Sequence, residues 1–423
     1  MKIAIIGGGL TGLSAAYELG KLSHQVSVFE KEPVLGGLAL GFQEKEWEWS
    51  LEKFYHHLFT NDDAIIGLMG ELGMSAKLII RRPVTATLWR ERVYQMDTPL
   101  HLLKYPGLSF SQRIRTGAFL AAIKTLPFVG SLETTTTQEL LRTYGGEGAW
   151  KALWQPLLEG KFNGYAPSVA ASWFWARMKK RTPQLAYVNG GFQTLITALQ
   201  TSVQKYGGVI RTNTDVSSLR VDKTGKPVIR SIPFDAVLFT VPTPVIARIV
   251  PTLNAFLKPA LSIAHLHAQV LVLETAQPVL NNTYWLNITD RSYPFLVAVA
   301  HTNFVESSHY NNHHITYLGN YLPEGHPYLL LTKEELLKKF LPYIKRINPS
   351  FSPQLSIINY QLFTGFYAQP VHQLNYSRKA PKFTTPIKNL YIANMDSIFP
   401  WDRGTNYAVE LGLKAARLIH ENK

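Results

Sequence analysis

Three glycines, Gly7, Gly9 and Gly12, stand directly behind the apolar run Lys2–Ile6 and at the mouth of a helix-like segment, Leu10 to Leu22. A second strand-like run, Gln25 to Glu30, ends on an acid. Gly-x-Gly-x-x-Gly in the order strand, tight turn, helix, strand, acidic residue restricts this part of the chain to a βαβ unit on a parallel sheet. Each glycine has its own task. Gly7 permits the sharp turn, Gly9 lets a pyrophosphate approach the backbone, and Gly12, with Ala16 one turn later, lets the helix press against the sheet. The N–H groups at the helix start, around Gly9, Leu10, Thr11 and Gly12, then face the phosphates together with the positive end of the helix dipole. Glu30 is placed to accept hydrogen bonds from ribose hydroxyls, and Lys31 follows it as a further contact. The unit therefore predicts a bound dinucleotide.

Composition narrows the rest. Of 423 residues, 46% are hydrophobic and 17% charged, which leaves ample core material and excludes global disorder. The length allows two or three ordinary domains, or one large bilobed one. Cysteine is absent, which excludes a disulfide scaffold, thiolate metal sites, a Cys-x-x-Cys relay and a cofactor tethered through sulfur. The net charge of +14 draws phosphates, anionic headgroups or nucleic acid without choosing among them. No homeodomain, zinc-finger or RRM signature accompanies it, so a nucleic-acid partner is not expected. Peripheral contact with an anionic membrane is the more plausible use of the basic surface. The most apolar stretch, Gly117 to Gly130, is broken by Lys124 and Pro127 and falls short of a spanning helix. With a strand beginning at Lys2 no export signal is expected, which suggests the cytoplasm or the cytosolic face of a membrane.

Soon after Glu30 a second glycine pair follows, in Val34-Leu35-Gly36-Gly37-Leu38. This resembles the extended dinucleotide motif of FAD proteins of the glutathione-reductase-like superfamily, in the branch of amine oxidases, protoporphyrinogen oxidase and phytoene desaturase. The resemblance implies that Gly36, Gly37 and Leu38 run beside the flavin's diphosphate and ribityl chain. It continues through Gly190-Gly191-Phe192, an amphipathic helix with Leu195, Ile196, Leu199 and Val203 on one face, and then Gly207-Gly208-Val209-Ile210 and Asp215–Leu219. In the family this passage, a strand, a short turn and another strand, returns the chain to the FAD domain, and Val216 matches the valine whose backbone meets adenine. Asp235–Pro242 resembles the next strand. At the end, the strand Asn389–Asn394 is followed by the loop Met395–Thr405 and a helix with Ala408, Leu411, Ala415, Leu418 and Ile419 on its apolar face.

Here the chain departs from its relatives, with Ala393-Asn394-Met395-Asp396 where they have Ala-Gly-Asp or Ala-Gly-Glu. Asp396 is the candidate to play the acid's part, displaced by one residue. Gly404, Thr405 and Asn406 would touch the flavin at the helix start, whose positive end favours an electron-rich ring edge.

The resemblance implies an α/β fold: a Rossmann-like FAD-binding domain, with a parallel sheet and a β-meander, formed by 1–80, 190–250 and 385–423. A discontinuous α+β substrate domain with a mixed sheet would use 81–189 and 251–384. Strand-like runs at Ala268–Leu273, Tyr293–Ala300 and His314–Tyr321 suit it. Lys53, Tyr55 and His56 lie where the family chain passes over the flavin and are candidate flavin or substrate contacts. Adjacent residues on extended chain face opposite ways, so His56 and His57 are not expected to share one site. His265, His267, His313 and His314 lack the thiolates or His-Glu-x-x-His spacing of a metal site, and no metal is expected. Trp173, Phe174 and Trp175 read as core, and Arg177, Lys179, Lys180 and Arg181 as a solvated helix face, with an acidic ligand as the sharper alternative.

Arg403 is the charged side chain most suited to function. It could pair with Asp402, bridge a flavin phosphate or bind a substrate carboxylate, and the sequence leaves these open. The implied activity is FAD-dependent oxidation of a small organic substrate, hydrophobic or acidic, by removal of a hydride equivalent from a C–H bond. In such chemistry the cofactor performs the reaction and no dedicated base is required. A non-redox flavoenzyme resembling UDP-galactopyranose mutase is the alternative, and a scaffold that keeps FAD without turnover is a more distant third.

Overall fold

The computed structural model describes residues 1–422. Its first sheet has five parallel strands in the spatial order Val209–Arg211, Gln25–Phe29, Lys2–Ile6, Ala236–Phe239 and Leu390–Ile392. In chain order these are the third, second, first, fourth and fifth strands. The order reverses beside Lys2–Ile6, so the crevice at a doubly wound sheet's switch point opens where the glycine turn leaves this strand. Lys2–Ile6 is central and its last four residues are fully buried, as a strand covered on both faces requires.

Two helices cover one face of this sheet at its centre: Leu10–Lys21, from the glycine turn, and Thr405–Glu421, at the C-terminus. They pack in parallel. Gly412 lies so close to the first helix that a Cβ there would fall 2.3 Å from the Thr11 carbonyl oxygen. One turn further on, Arg417 Nε donates to Glu18 at 3.1 Å, and the rings of His24 and His420 meet at 3.0 Å. Both helices therefore start toward the same end of the sheet, the second beginning nearly two turns ahead of the level at which Gly412 meets Thr11. Phe192–Lys205 also packs against the first helix, through the apolar face predicted from its spacing.

A β-meander, Arg220–Val221, Pro227–Ile229 and Ile232–Pro233, leads into the fourth strand of the parallel sheet. The passage Asp215–Leu219, expected as a strand, is irregular. It joins no sheet, its Leu219 N donating to the Ile249 carbonyl at 3.2 Å, and it sends Val216 and Leu219 into the core among Phe29, Ile229 and Phe234.

The second large sheet has seven strands, in the order Ile357–Pro370, His265–Thr275, His314–Leu322, Val297–Ala300, Thr283–Ile288, Val84–Trp89 and Arg92–Gln95. Only Thr283–Ile288 and Val84–Trp89 run parallel, so the sheet is mixed. Helices between residues 99 and 180 pack at one end of it. Trp173, Phe174 and Trp175 are core residues there. Phe110–Thr125 is held at its start by a capping box between Ser109 and Gln112. No helix among the described residues is long and apolar enough to cross a membrane.

The Gly412 contact allows no side chain. Gly412→Val should destabilise the protein by about 1–3 kcal/mol through overpacking, read as a lower urea midpoint. An unchanged midpoint would mean that the two helices lie further apart than described.

Candidate functional site

The turn Gly7–Gly9 sits where the parallel strands end. Gly7 has φ +109°, and a Cβ on Gly12 would fall 2.0 Å from the Gly7 carbonyl oxygen, so both glycines are demanded by the protein's own packing. Gly9 differs. A Cβ there would meet nothing nearer than Gly37 Cα, at 3.9 Å. The second glycine pair lies directly against this turn: Gly36 N donates to the Gly8 carbonyl at 3.0 Å, and Gly36 and Gly37 take φ of +133° and +56°. Two bare stretches of backbone thus form one cradle beside the start of the first helix. Gly9 leaves it open, and a side chain there would fill it.

Glu30 stands at the edge of the cradle, almost buried. Its carboxylate accepts from Gly8 N at 2.7 Å and from Glu32 N at 2.9 Å, which ties the end of the second strand to the glycine turn. Lys31, beyond it, is exposed and pairs with Glu32 at 3.1 Å. The chain 211–214 runs alongside through Thr214 N to Glu30 O and Asn213 N to Glu32 O, and so brings Val216 to the same edge. Leu10 is core, and Thr11 is partly exposed at the helix start.

The segment 52–57 bridges the two sheets. Leu38 and Phe54 pack on Gly365, where a Cβ would meet both within 2.9 Å. Lys53 lies over the Phe363 ring at 5.5 Å. Tyr55 stands edge-on to Trp285 and Tyr317, in space that Gly319 leaves free. The Nδ1 of His56 donates to the Phe54 carbonyl at 2.6 Å, a bond that keeps its proton there and leaves Nε2 as an acceptor. His57 turns elsewhere, to the Tyr284 hydroxyl at 3.0 Å. Burial lowers the pKa of His56 to about 4 and of His57 to about 3, and it pushes Tyr55 up to about 12. His56 and Tyr55 still retain accessible surface. At neutral pH His56, His57 and Tyr55 are therefore uncharged polar groups.

The loop before the C-terminal helix distributes its side chains differently from the expectation. Asp396, expected at the cofactor, is 2% exposed, and both its oxygens are taken. Thr243 donates to one at 2.5 Å and the His265 ring meets the other at 2.6 Å. Asn406 likewise turns inward. Its Oδ1 accepts from Ala64 N and Ile65 N and so caps the helix Asp63–Glu71. Gly404 is open to solvent, and Thr405 begins the helix with its side chain largely buried. Arg403 does not pair with Asp402. Its Nε donates to Gln369 Oε1 at 2.8 Å and its Nη2 to the Tyr321 hydroxyl. Asp402 pairs with Arg177 at 2.9 Å instead, with Lys161 3.9 Å away. Burial works to raise the Asp402 pKa, but Lys161 and Arg177 hold it well below the usual carboxylate range.

Residues 10–420 match the family described as flavin containing amine oxidoreductase. The chain belongs to this family. Among its relatives, it is 32% identical to the zeta-carotene desaturase of Zea mays over 81 residues, 19% of this chain and 14% of that protein. The curated desaturases it matches are covered over no more than 37% of their length. Solved structures are similar over the whole chain. Reduced UDP-galactopyranose mutase gives a TM-score of 0.77 at 15% identity, covering 100% of this chain and 96% of that one. A putrescine oxidase triple mutant, redesigned in cofactor binding, gives 0.73 at 16%, covering 100% and 99%. At such identity these likenesses establish the fold alone.

FAD is the cofactor of this family, and the cradle fits it: open backbone at Gly9 and Gly37, two helix starts toward one end of the sheet and the Glu30 carboxylate at the cradle's edge. The Leu10 and Thr405 helix starts would face its anionic groups, and Gly36, Gly37 and Leu38 its diphosphate and ribityl chain. Three residues missed at the sequence level complete the surroundings: Gln369, Lys161 and Tyr321. Only their place in the tertiary fold reveals them. Among the described residues, no three histidine or carboxylate groups converge on a metal position.

A bulky residue at Gly9 should fill the cradle while sparing the fold, because the space is free. Gly9→Val should therefore lose flavin, read as the ratio of flavin to protein absorbance, while keeping a native far-UV spectrum. Full flavin occupancy in that variant would place the diphosphate elsewhere.

Proposed function

We propose that the protein is an FAD-dependent oxidoreductase that removes a hydride equivalent from a C–H bond of an organic substrate, in the manner of protoporphyrinogen oxidase, amine oxidases and carotenoid desaturases. The observation that supports this best is the open glycine cradle at the start of Leu10–Lys21, with Thr405–Glu421 packed parallel to that helix, in a chain of the flavin containing amine oxidoreductase family. When bound, FAD supplies the acceptor for two electrons and a proton. The protein's own residues do the rest. Glu30 holds the adenosine edge, Gly9 and Gly37 admit the diphosphate, and Gly404 and Thr405 meet the ring. Tyr55 and His56 are uncharged at neutral pH and partly accessible, and on this reading they orient substrate and exclude water. His56 Nε2 can take a hydrogen bond from substrate without adding charge. On this reading the parallel sheet belongs to a cofactor lobe formed by 1–80, 190–250 and 385–423, and the mixed sheet to a substrate lobe.

The same reading accommodates the reaction of a mutase-like relative, because Arg403 lies in the loop before the last helix. Anaerobic mixing with amines, porphyrinogens and carotenoid precursors separates the two. Loss of the flavin absorbance band with one class, and its return in air, is the expected outcome. Turnover of a nucleotide sugar only after prereduction would replace the oxidase reading with the mutase one.

Contact with an anionic membrane belongs to the same proposal. Leu100, Phe110 and Ile114 expose 68, 70 and 49% of their surface on two consecutive helices that also carry Lys104, Arg113 and Arg115. Apolar side chains flanked by cations suit the edge of an anionic bilayer. Co-sedimentation with vesicles containing phosphatidylserine should fall at least several-fold in a Leu100→Ser/Phe110→Ser double variant. Equal sedimentation of the two proteins would remove this surface from the proposal.

A further inference from the structure

Around the loop that carries Arg403, three cations lie close together and two of them share one carboxylate. Lys161 comes from the helix Gln155–Phe162, Arg177 from Ala171–Lys180, and Arg403 from the loop before Thr405. Asp402 is the partner of the first two, 2.9 Å from Arg177 and 3.9 Å from Lys161, and Arg403 reaches it only through Gln369. Two aromatic rings hold the cations in place. Lys161 Nζ and the Arg403 guanidinium lie 5.0 and 5.1 Å from the centre of the Tyr321 ring. Lys161 and Arg177 each lie 5.3 Å from the centre of Trp173. The three positive groups are therefore neighbours, not merely residues of one lobe.

Asp402 neutralises one of them, and Gln369 occupies its second oxygen at 3.2 Å. Ring faces attract cations, but too weakly to offset the burial of unpaired charge. Burial, with repulsion from Arg177 and Arg403, drives the Lys161 pKa well below its usual value despite Asp402. The protein could have avoided this cost with an apolar residue. It also leaves a way in: 38% of the Arg177 side chain is exposed, against 13% of Lys161. The cluster is open at Arg177 and closed at Lys161.

We infer that Lys161, Arg177 and Arg403 form a subsite for an anionic group of the substrate, a carboxylate or a phosphate, so that the substrate is an organic acid or phosphate ester. This rests on the oxidoreductase reading above for what happens next to the subsite, but the anion site stands on its own geometry. Arg177 and Arg403 offer N–H groups to the anion's oxygens. Lys161 lies at the closed end and adds its charge behind them. Asp402 and Gln369 position the guanidinium groups, and Tyr321 and Trp173 keep the floor dry.

The test is titration calorimetry on the purified protein, with benzoate and phenyl phosphate as anionic probes and benzamide as the neutral control. One or both anions should bind at least tenfold more tightly than benzamide, and the preferred one reports carboxylate or phosphate as the natural group. Arg177→Gln and Lys161→Met should each weaken that binding at least tenfold, whereas Arg177→Lys, which keeps the charge, should lose less. Arg177 is partly exposed, so its variants should fold, and circular dichroism checks each one. Benzamide binding as tightly as the anions, no anion binding at millimolar concentration, or unchanged affinity in the folded Arg177→Gln protein would overturn the subsite. Absence of flavin from the preparation would instead refute the oxidoreductase reading, and calorimetry would still decide the anion site on the colourless protein.

Discussion

The contact on which the architecture turns is the close parallel packing of Leu10–Lys21 against Thr405–Glu421. A glycine at position 412 lets the second helix rest on the backbone of the first, 2.3 Å being all that a Cβ would have. Helices at this separation in parallel orientation place like dipole ends together, an arrangement mildly unfavourable by itself. What repays it is burial, through Val409, Ala415, Ala416 and Ile419 on one helix and Leu13, Ala16 and Leu19 on the other. The consequence is chemical. Two sets of unpaired N–H groups point to one edge of the sheet, and that edge is also where the strands end and where the glycine cradle lies open. An extended anionic ligand laid along this edge meets positive potential at two separate points.

Electrostatics divides the interior into two regions. Around residues 52–57, loss of hydration holds His56, His57 and Tyr55 uncharged, and burial raises the Glu52 pKa to about 7 despite hydrogen bonds from Tyr187 and Phe192 N, while Lys53 turns onto the Phe363 ring. A few side chains away, around Asp402, the charges are retained and predominantly positive. A polar but neutral wall beside a cationic corner suits a ligand with an apolar or flat body and an acidic end. The bulge in Ile357–Pro370 helps to create the boundary. Register shifts between Leu266 and Ala268, Tyr367 takes φ +56°, and its N–H goes to His267 Nδ1 instead of the ladder. The strand is thereby re-aimed, and Gln369 arrives between Arg403 and Asp402.

The fold was legible where a local pattern and a global requirement coincide. Gly7, Gly9 and Gly12 reveal a turn because each removes a specific collision, and the apolar spacing of Phe192 to Val203 reveals a helix because that face is covered. The parallel sheet, the meander and the mixed second sheet follow the resemblance carried by these motifs. Side-chain destinations were less legible. Asn394 stands where relatives have glycine, and its amide donates to Val241 O and Thr243 while accepting from Asp396 N. It ties the ends of two neighbouring strands and draws Asp396 inward to Thr243 and His265. Nothing in the spacing of residues 393–396 could show this, because Thr243 and His265 are more than a hundred residues distant. Asn406 is a similar case, its task as a helix cap being visible only once Asp63 lies beside it. Lys161 was overlooked for the same reason: a lone lysine in a helix has no signature until two rings and a carboxylate gather round it.

Arg403 shows why the residue type matters as well as the charge. Its fork is used in two directions, Nε to Gln369 and Nη2 to the Tyr321 hydroxyl, while its plane lies 5.1 Å from the centre of that same ring. A lysine could supply the charge but not three directed contacts from one rigid group. Gln369 cannot rotate without cost either, since its oxygen accepts from Arg403 and its nitrogen donates to Asp402 and to Pro370 O. Flipping the amide would set N–H against N–H and oxygen against carboxylate. The orientation of Arg403 is therefore relayed from Asp402 through a single buried amide, and Asp402 is in turn oriented by Arg177. A cation held by such a chain loses little further freedom when an anion arrives, so more of the attraction survives as binding energy.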